Sequence, residues 1–101
     1  MAPPKGMRRT VTVRRADILD SMTLEDWTTI GDLAEHTGRS KRDIHSCLVD
    51  LGRLGWTRLV YIDCEQRHYF ELTAEGQATV YFRATEDPAL FPTFHRSLRA
   101  S

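Results

Sequence analysis

The sequence predicts a small α+β domain that is mostly helical, and three patterns predict it. Apolar residues recur at spacings of three and four between positions 44 and 54, which is typical of a helix with one buried face. Two runs rich in β-branched and aromatic residues, 56–63 and 67–72, follow directly and are separated by a short polar segment, as in a hairpin. Shorter helical segments lie on both sides of this unit.

Size and charge limit the possible functions. At 101 residues the chain forms one domain, and an apolar fraction of 41% supports one core. Fourteen Lys and Arg balance fourteen Asp and Glu, which argues against strong non-specific binding of nucleic acid. The charges are uneven, however, because residues 1–15 and 39–42 contain basic groups and no acid. The sequence therefore allows one basic face.

Several other classes of protein are disfavoured. Two cysteines are too few for a disulfide scaffold, so we expect reduced thiols, with Cys47 in the core and Cys64 exposed at the hairpin tip. No apolar run is long enough to span a membrane and the start lacks a signal peptide, so a cytoplasmic protein is expected. No catalytic constellation, phosphate loop or zinc spacing is present. We expect neither an enzyme nor any cofactor or metal.

The first elements follow from local signals. Residues 1–12 contain Pro, Gly and Arg without periodicity and are expected to form a flexible basic arm. A helix over 13–22 has Thr12 as its N-cap and one apolar side. Residues 23–29 form a connection, with Trp27 as its apolar anchor.

The central elements are the most strongly patterned. The β-branched run 28–30 is expected to pair as a single strand with a later segment. A two-turn helix over 31–36 stops at Gly38, because glycine readily adopts the left-handed conformation of a C-terminal cap. Ser40 then caps a longer helix over 41–54.

The end of the chain contains one further helix and an apolar tail. Gly55 ends the long helix, and Thr73 caps a helix over 74–84 that stops before Asp87 and the proline after it. Residues 85–101 form a tail that is expected to dimerise, and the alternative is that this tail folds back on its own core. The apolar residues assigned to the dimer surface are Tyr81, Phe82, Leu90, Phe91 and Phe94. With so little chain after the hairpin, a roomy ligand pocket is not expected within one protomer.

Three stretches resemble the winged helix-turn-helix domain of bacterial repressors of the MarR and PadR type. Residues 30–40 are similar to the motif I-x-x-L-A-x-x-T-G-x-S, which covers the second helix and the turn. Residues 44–56 resemble the recognition helix and its exit, and residues 69–76 resemble the Y-x-L-T-x-E-G end of the wing. The resemblance covers residues 13–84. It implies a three-helix core, an antiparallel wing of two or three strands and a C-terminal helix.

The resemblance also implies which residues contact double-stranded DNA. In this family the recognition helix lies in the major groove and its N-terminal residues contact base edges. The positions that carry this role over are Thr29, Arg39, Ser40, Lys41, Arg42, His45, Ser46, Arg67 and His68. Lys41 and Arg42 suit the O6 and N7 acceptors of guanine. The amide of Thr29 suits a phosphate, and Arg67 and His68 would follow the wing tip to the backbone or minor groove.

The chain also departs from the family pattern. Positions 46, 49 and 50 are often basic in DNA-reading members, but here they are Ser46, Val49 and Asp50. We therefore hold two functions open. The first is a homodimeric transcriptional regulator that binds DNA, and the alternative is a winged-helix module that binds a protein and no DNA.

Overall fold

The computed structural model describes residues 12–62 and 67–100, and its elements follow the predicted order. They are α1 Val13–Ser21, α2 Ile30–Thr37, α3 Lys41–Arg53, β1 Thr57–Ile62, β2 Arg67–Leu72, α4 Ala74–Glu86, a 3-10 turn Pro88–Leu90 and α5 Pro92–Ala100. The expectations of a flexible arm before Thr12 and of an exposed Cys64 concern residues outside this described part.

Local caps set the ends of the helices as the sequence predicts. The hydroxyl of Thr12 accepts a hydrogen bond from the first turn of α1, and the Ser40 hydroxyl accepts one from the Asp43 amide at 3.1 Å. Gly38 has a φ of 72°, in the left-handed region that glycine occupies without strain. Gly38 and the Ser40 cap together define the tight turn between α2 and α3.

The core lies where α1, α2 and α3 meet the base of the hairpin and α4. The largest fully buried side chains include Ile18, Leu33, Ile44, Leu51 and Trp56. Cys47 is also fully buried, as predicted, and its burial raises the pKa of the thiol despite nearby arginines that lower it. Cys47 is therefore a packing residue of α3.

The wing is an antiparallel ribbon with one further bridge. β1 pairs with β2 from Thr57 opposite Leu72 to Ile62 opposite Arg67. Thr28 bridges Phe70 through two backbone hydrogen bonds, of 3.0 and 2.7 Å, so the predicted pairing is confirmed at this residue. The predicted strand does not extend to residue 30, because Thr29 is the N-cap of α2 and Ile30 is its first residue. The start of α2 is consequently fastened to the wing.

The beginning of α4 is packed against the exit of α3. The Thr73 amide donates to the carbonyl of Trp56 at 3.0 Å, and the Thr73 hydroxyl donates to the carbonyl of Gly55 at 2.5 Å. A Cβ atom on Gly76 would overlap the Trp56 carbonyl group. Gly76, the glycine of the T-x-E-G motif, is therefore required because the backbone of α4 lies close to the backbone of Trp56.

The tail is an integral part of the domain. Asp20 of α1 is buried, and its carboxylate accepts hydrogen bonds from the amides of Thr93 at 3.0 Å and Phe94 at 2.8 Å. A carboxylate at a helix N-terminus satisfies amides that have no partner within the helix and complements the helix dipole. Asp20 thus caps α5 from a distant part of the sequence.

The prediction that Leu90, Phe91 and Phe94 belong to a dimer surface is wrong. Phe91 is fully buried in the core of its own protomer, and Leu90 and Phe94 pack against the same core. The alternative weighed from the sequence, a tail folded back on its own domain, therefore applies to these three residues. Tyr81 and Leu98 are the large apolar side chains that stay exposed on α4 and α5.

We expect Gly76→Ala to lower the free energy of unfolding by about 1–3 kcal/mol, because the new methyl group would overlap the backbone of Trp56. Gly52→Ala is the matched control, since the nearest atom to its new Cβ is 4.0 Å away and alanine favours a helix. Urea unfolding measures both variants. Equal stabilities would contradict the close approach.

We expect Asp20→Ala to lower the free energy of unfolding by about 1–3 kcal/mol, because two backbone amides lose their acceptor. The control is Asp17→Ala on the same helix, which removes only a partly exposed ion pair with Arg39 and should cost less than about 1 kcal/mol. Amide exchange should also be faster in α5 of the Asp20 variant alone. An unchanged α5 would show that Asp20 does not cap it.

Candidate nucleic-acid interface

Helix α3 presents a polar face at its leading end. Ile44, Cys47 and Leu48 point into the core, so the positions on the opposite side of the helix face outward. Lys41, Arg42 and His45 are exposed, as is Ser46. The buried stripe holds the helix in place, and the polar residues of its first two turns are free to meet a partner.

A shallow concave surface joins this helix end to α2 and the wing. We call it the reading groove, and its lining residues are Thr29, Ile30, Gly31, Lys41, Arg42, His45, Arg67 and His68. Six of the nine residues proposed from the sequence as DNA contacts are therefore brought together. Ile30, the first residue of α2, packs partly against the core and also lines the groove.

The cations of the reading groove are not neutralised by carboxylates within the described structure. Among residues 12–62 and 67–100, no ion pair involves Lys41, Arg42 or Arg67. Two cations in the first turn of a helix oppose the helix dipole, so a partner anion would stabilise them. Asp50, one of the departures from the family pattern, lies 3.9 Å from Arg15 of α1 and is thereby partly compensated.

Two of the proposed contacts already have partners within the molecule. The Arg39 side chain is 3.2 Å from the Asp17 carboxylate, so an acid of the same molecule already pairs with it. The Thr29 amide donates to the Asp32 carboxylate at 3.4 Å in a capping box. Ile30 and Gly31 are the first-turn residues of α2 that line the groove.

Two other proposed residues lie beside the groove. Ser40 is exposed and uses its hydroxyl oxygen as the cap of α3. Ser46 is exposed one turn along α3 from Arg42 and does not line the groove. Neither residue is therefore part of the cationic surface itself.

Trp27 differs from its predicted role as an apolar anchor, because 45% of it is exposed. Its indole N–H donates to the Glu71 carboxylate at 3.1 Å, and its ring lies against Tyr69 with centroids 6.0 Å apart. Arg58, opposite Glu71 in the register, donates through its Nε at 2.9 Å. The hydrogen bond from Arg58, together with the one from Trp27, holds the pKa of Glu71 below its ordinary value.

The described residues also form a second concavity, which is open to solvent. This open cleft, of about 880 Å³, lies between the end of α1, the wing and helices α4 and α5. Trp27, Tyr81 and Phe94 line it together with the carboxylates of Glu25 and Asp26. It is separate from the reading groove, and the two share no lining residue.

Two kinds of feature are absent from the described residues. None of the helices found there is long and apolar enough to cross a membrane. In the same part of the chain, no group of three or more His, Cys, Asp or Glu side chains is arranged to hold a metal ion.

Comparison of the structure with solved structures identifies the fold. A MarR-family regulator from Silicibacter pomeroyi superposes with a TM-score of 0.65 at 20% identity, over 86% of this chain and 54% of that one. The adhesin competence repressor AdcR from Streptococcus pyogenes gives 0.69 at 17%, over 96% and 72%. Lactococcus lactis ZitR, in a structure in complex with DNA, gives 0.69 at 14%, over 95% and 65%.

These likenesses show that the chain has the winged helix-turn-helix fold of the MarR-type regulators. The chain spans only 54 to 60% of the length of the first three structures it matches. No protein-family model and no curated protein sequence matches it. The predicted fold class is therefore confirmed at the level of structure.

Proposed function

We propose that this protein binds double-stranded DNA in a sequence-specific manner and regulates transcription, reading the major groove with the leading end of α3. The reading groove carries this proposal, because two separate elements, α3 and β2, bring Lys41, Arg42, His45, Arg67 and His68 to one surface. Lys41, Arg42 and Arg67 form no ion pair with the described residues, and cations along a concave surface match the phosphates and base edges of a duplex.

Each part of the groove suits a different part of the duplex. Arg42 and Lys41 lie at the start of the helix, where recognition helices contact base edges, and both suit the acceptors of guanine. Arg67 and His68 project from the wing toward the neighbouring backbone or minor groove. The first turn of α2 at Gly31 faces the same groove and offers the positive end of a helix to a phosphate.

The structural neighbours support the same function without establishing it. The S. pomeroyi protein is described as a transcriptional regulator, AdcR as a repressor, and ZitR is seen in complex with DNA. A fold hosts many functions, so the assignment rests on the groove of this chain. The fold relationship makes DNA the first ligand to test.

We expect Arg42→Ala to weaken binding of the preferred duplex by about 1–3 kcal/mol and to relax the preference at one base position. Arg67→Ala should weaken all duplexes alike, because a phosphate contact carries no sequence information. The control is Arg53→Ala, an exposed arginine at the far end of the same helix, which should leave binding unchanged. Selection from random duplexes followed by titration measures these effects. An unchanged preference in the Arg42 variant would contradict the placement of α3.

Salt dependence separates DNA binding from the protein-interaction alternative. A DNA complex should lose affinity with a slope of about −0.9 in log K against log salt for each phosphate contacted. A mainly apolar protein contact should respond little. Failure to enrich any duplex at low salt would favour the winged-helix protein-binding module.

We further propose a homodimer formed through α4, α5 and the tail, with half-sites about one helical turn apart. Tyr81 and Leu98 are 59% and 54% exposed, which is high for large apolar side chains of a small domain. Helix α5 carries Arg96 and Arg99 and no acid, whereas the open cleft beside it presents carboxylates. A second copy would therefore find complementary charge as well as apolar surface.

We expect Leu98→Glu to shift the protein toward monomer, because a charge would enter the apolar contact between protomers. Leu59→Glu is the matched control, since Leu59 is 53% exposed but lies on the wing. Sedimentation velocity over a range of concentrations measures the oligomeric state. A wild-type protein that stays monomeric throughout, or equal effects of the two variants, would refute this interface.

A further inference from the structure

The contacts of Trp27 are with the wing and not with the core. Its ring packs on Tyr69 and its indole N–H is bound to Glu71, while nearly half of the residue is exposed. Tyr69 and Glu71 are two apart on β2, so they share one face of the strand. One large side chain from outside the ribbon therefore braces two successive positions of that face.

The acceptor for Trp27 is itself held in place. Glu71 is paired across the ribbon with Arg58, which donates from two nitrogens of its guanidinium group. We call Trp27, Arg58, Tyr69 and Glu71 the wing clamp. A two-stranded ribbon is marginally stable alone, so its orientation depends on contacts of this kind.

The wing clamp is directly connected to the reading groove. Thr28 follows Trp27 and makes both backbone hydrogen bonds with Phe70, and Thr29 then caps α2. In the other direction along β2, Arg67 lies two residues beyond Tyr69 and shares its face by strand alternation. Any rotation of the ribbon about its base would displace Arg67 and His68 relative to α3.

We propose that Trp27 is a positioning residue for DNA binding, which through the wing clamp fixes where Arg67 and His68 stand relative to the recognition helix. The proposal rests on the proposed function and adds to it a residue that touches no DNA. Loss of Trp27 should therefore remove the contribution of the wing to DNA affinity and leave the contribution of α3 unchanged.

A double-mutant cycle on the full chain tests this selectivity. Trp27→Ala should weaken duplex binding about threefold to tenfold at low salt and reduce the salt slope by about 0.9, as Arg67→Ala does. The double variant Trp27→Ala/Arg67→Ala should bind no worse than either single variant. Trp27→Ala combined with Arg42→Ala should show the product of the two single losses, because the recognition helix is untouched.

Conservative variants and a measurement without DNA separate positioning from a general loss of stability. Trp27→Phe keeps the ring on Tyr69 and should restore part of the affinity, whereas urea unfolding should show all variants folded at the assay temperature. In Trp27→Ala, the Thr28 and Phe70 amides should exchange faster while the amides of α3 are unchanged. Unchanged exchange at Thr28 and Phe70 would overturn the proposal.

The outcomes also distinguish this proposal from the function on which it rests. A wild-type chain that enriches no duplex refutes the proposed function, and with it any role of the wing in DNA contact. A wild-type chain that binds DNA, but in which the Trp27 and Arg67 losses multiply, refutes the positioning role alone.

Discussion

The close approach of Gly76 to the Trp56 backbone is the constraint on which the relative placement of helices and wing depends. Trp56 lies three residues after the end of α3. Its carbonyl accepts a hydrogen bond from the amide of Thr73, where the chain leaves the wing, and lies against Gly76 at the start of α4. Both ends of the ribbon are thereby fastened to one spot beside the recognition helix. Because no side chain fits between the two backbones, the start of α4 packs in one position against the residues that follow α3.

The zero net charge of the chain conceals an uneven use of its acids. Asp20 caps a helix, Asp17 and Asp50 face arginines of the domain, and Glu71 is held within the wing clamp. The described carboxylates leave Lys41 and Arg42 without ion pairs, so a neutral protein still presents a cationic groove. Total charge is therefore a poor guide to the partner of this protein, since binding depends on the local field of one surface.

Features defined by neighbouring residues could be predicted from the sequence, and features defined by distant ones could not. The caps at Thr12, Ser40 and Thr73 involve partners three residues away, so the local pattern is sufficient. The Asp20 bond to Thr93 spans 73 residues and looks, in the sequence, like an ordinary polar position of a helix. The same holds for candidate site residues, because the sequence does not show that the fold brings Asp17, 22 positions away, beside Arg39.

The two halves of the reading groove are held with different rigidity, and this difference has a functional meaning. Helix α3 is fixed by a buried stripe and by the Ser40 cap at its start, so the side chains proposed to contact bases stand on a rigid support. The outer wing is held by partly exposed side chains such as Trp27. Base contacts determine sequence preference, whereas wing contacts to the backbone mainly add affinity. A fold of this kind can therefore change its affinity through the wing without changing the sequence that the helix reads.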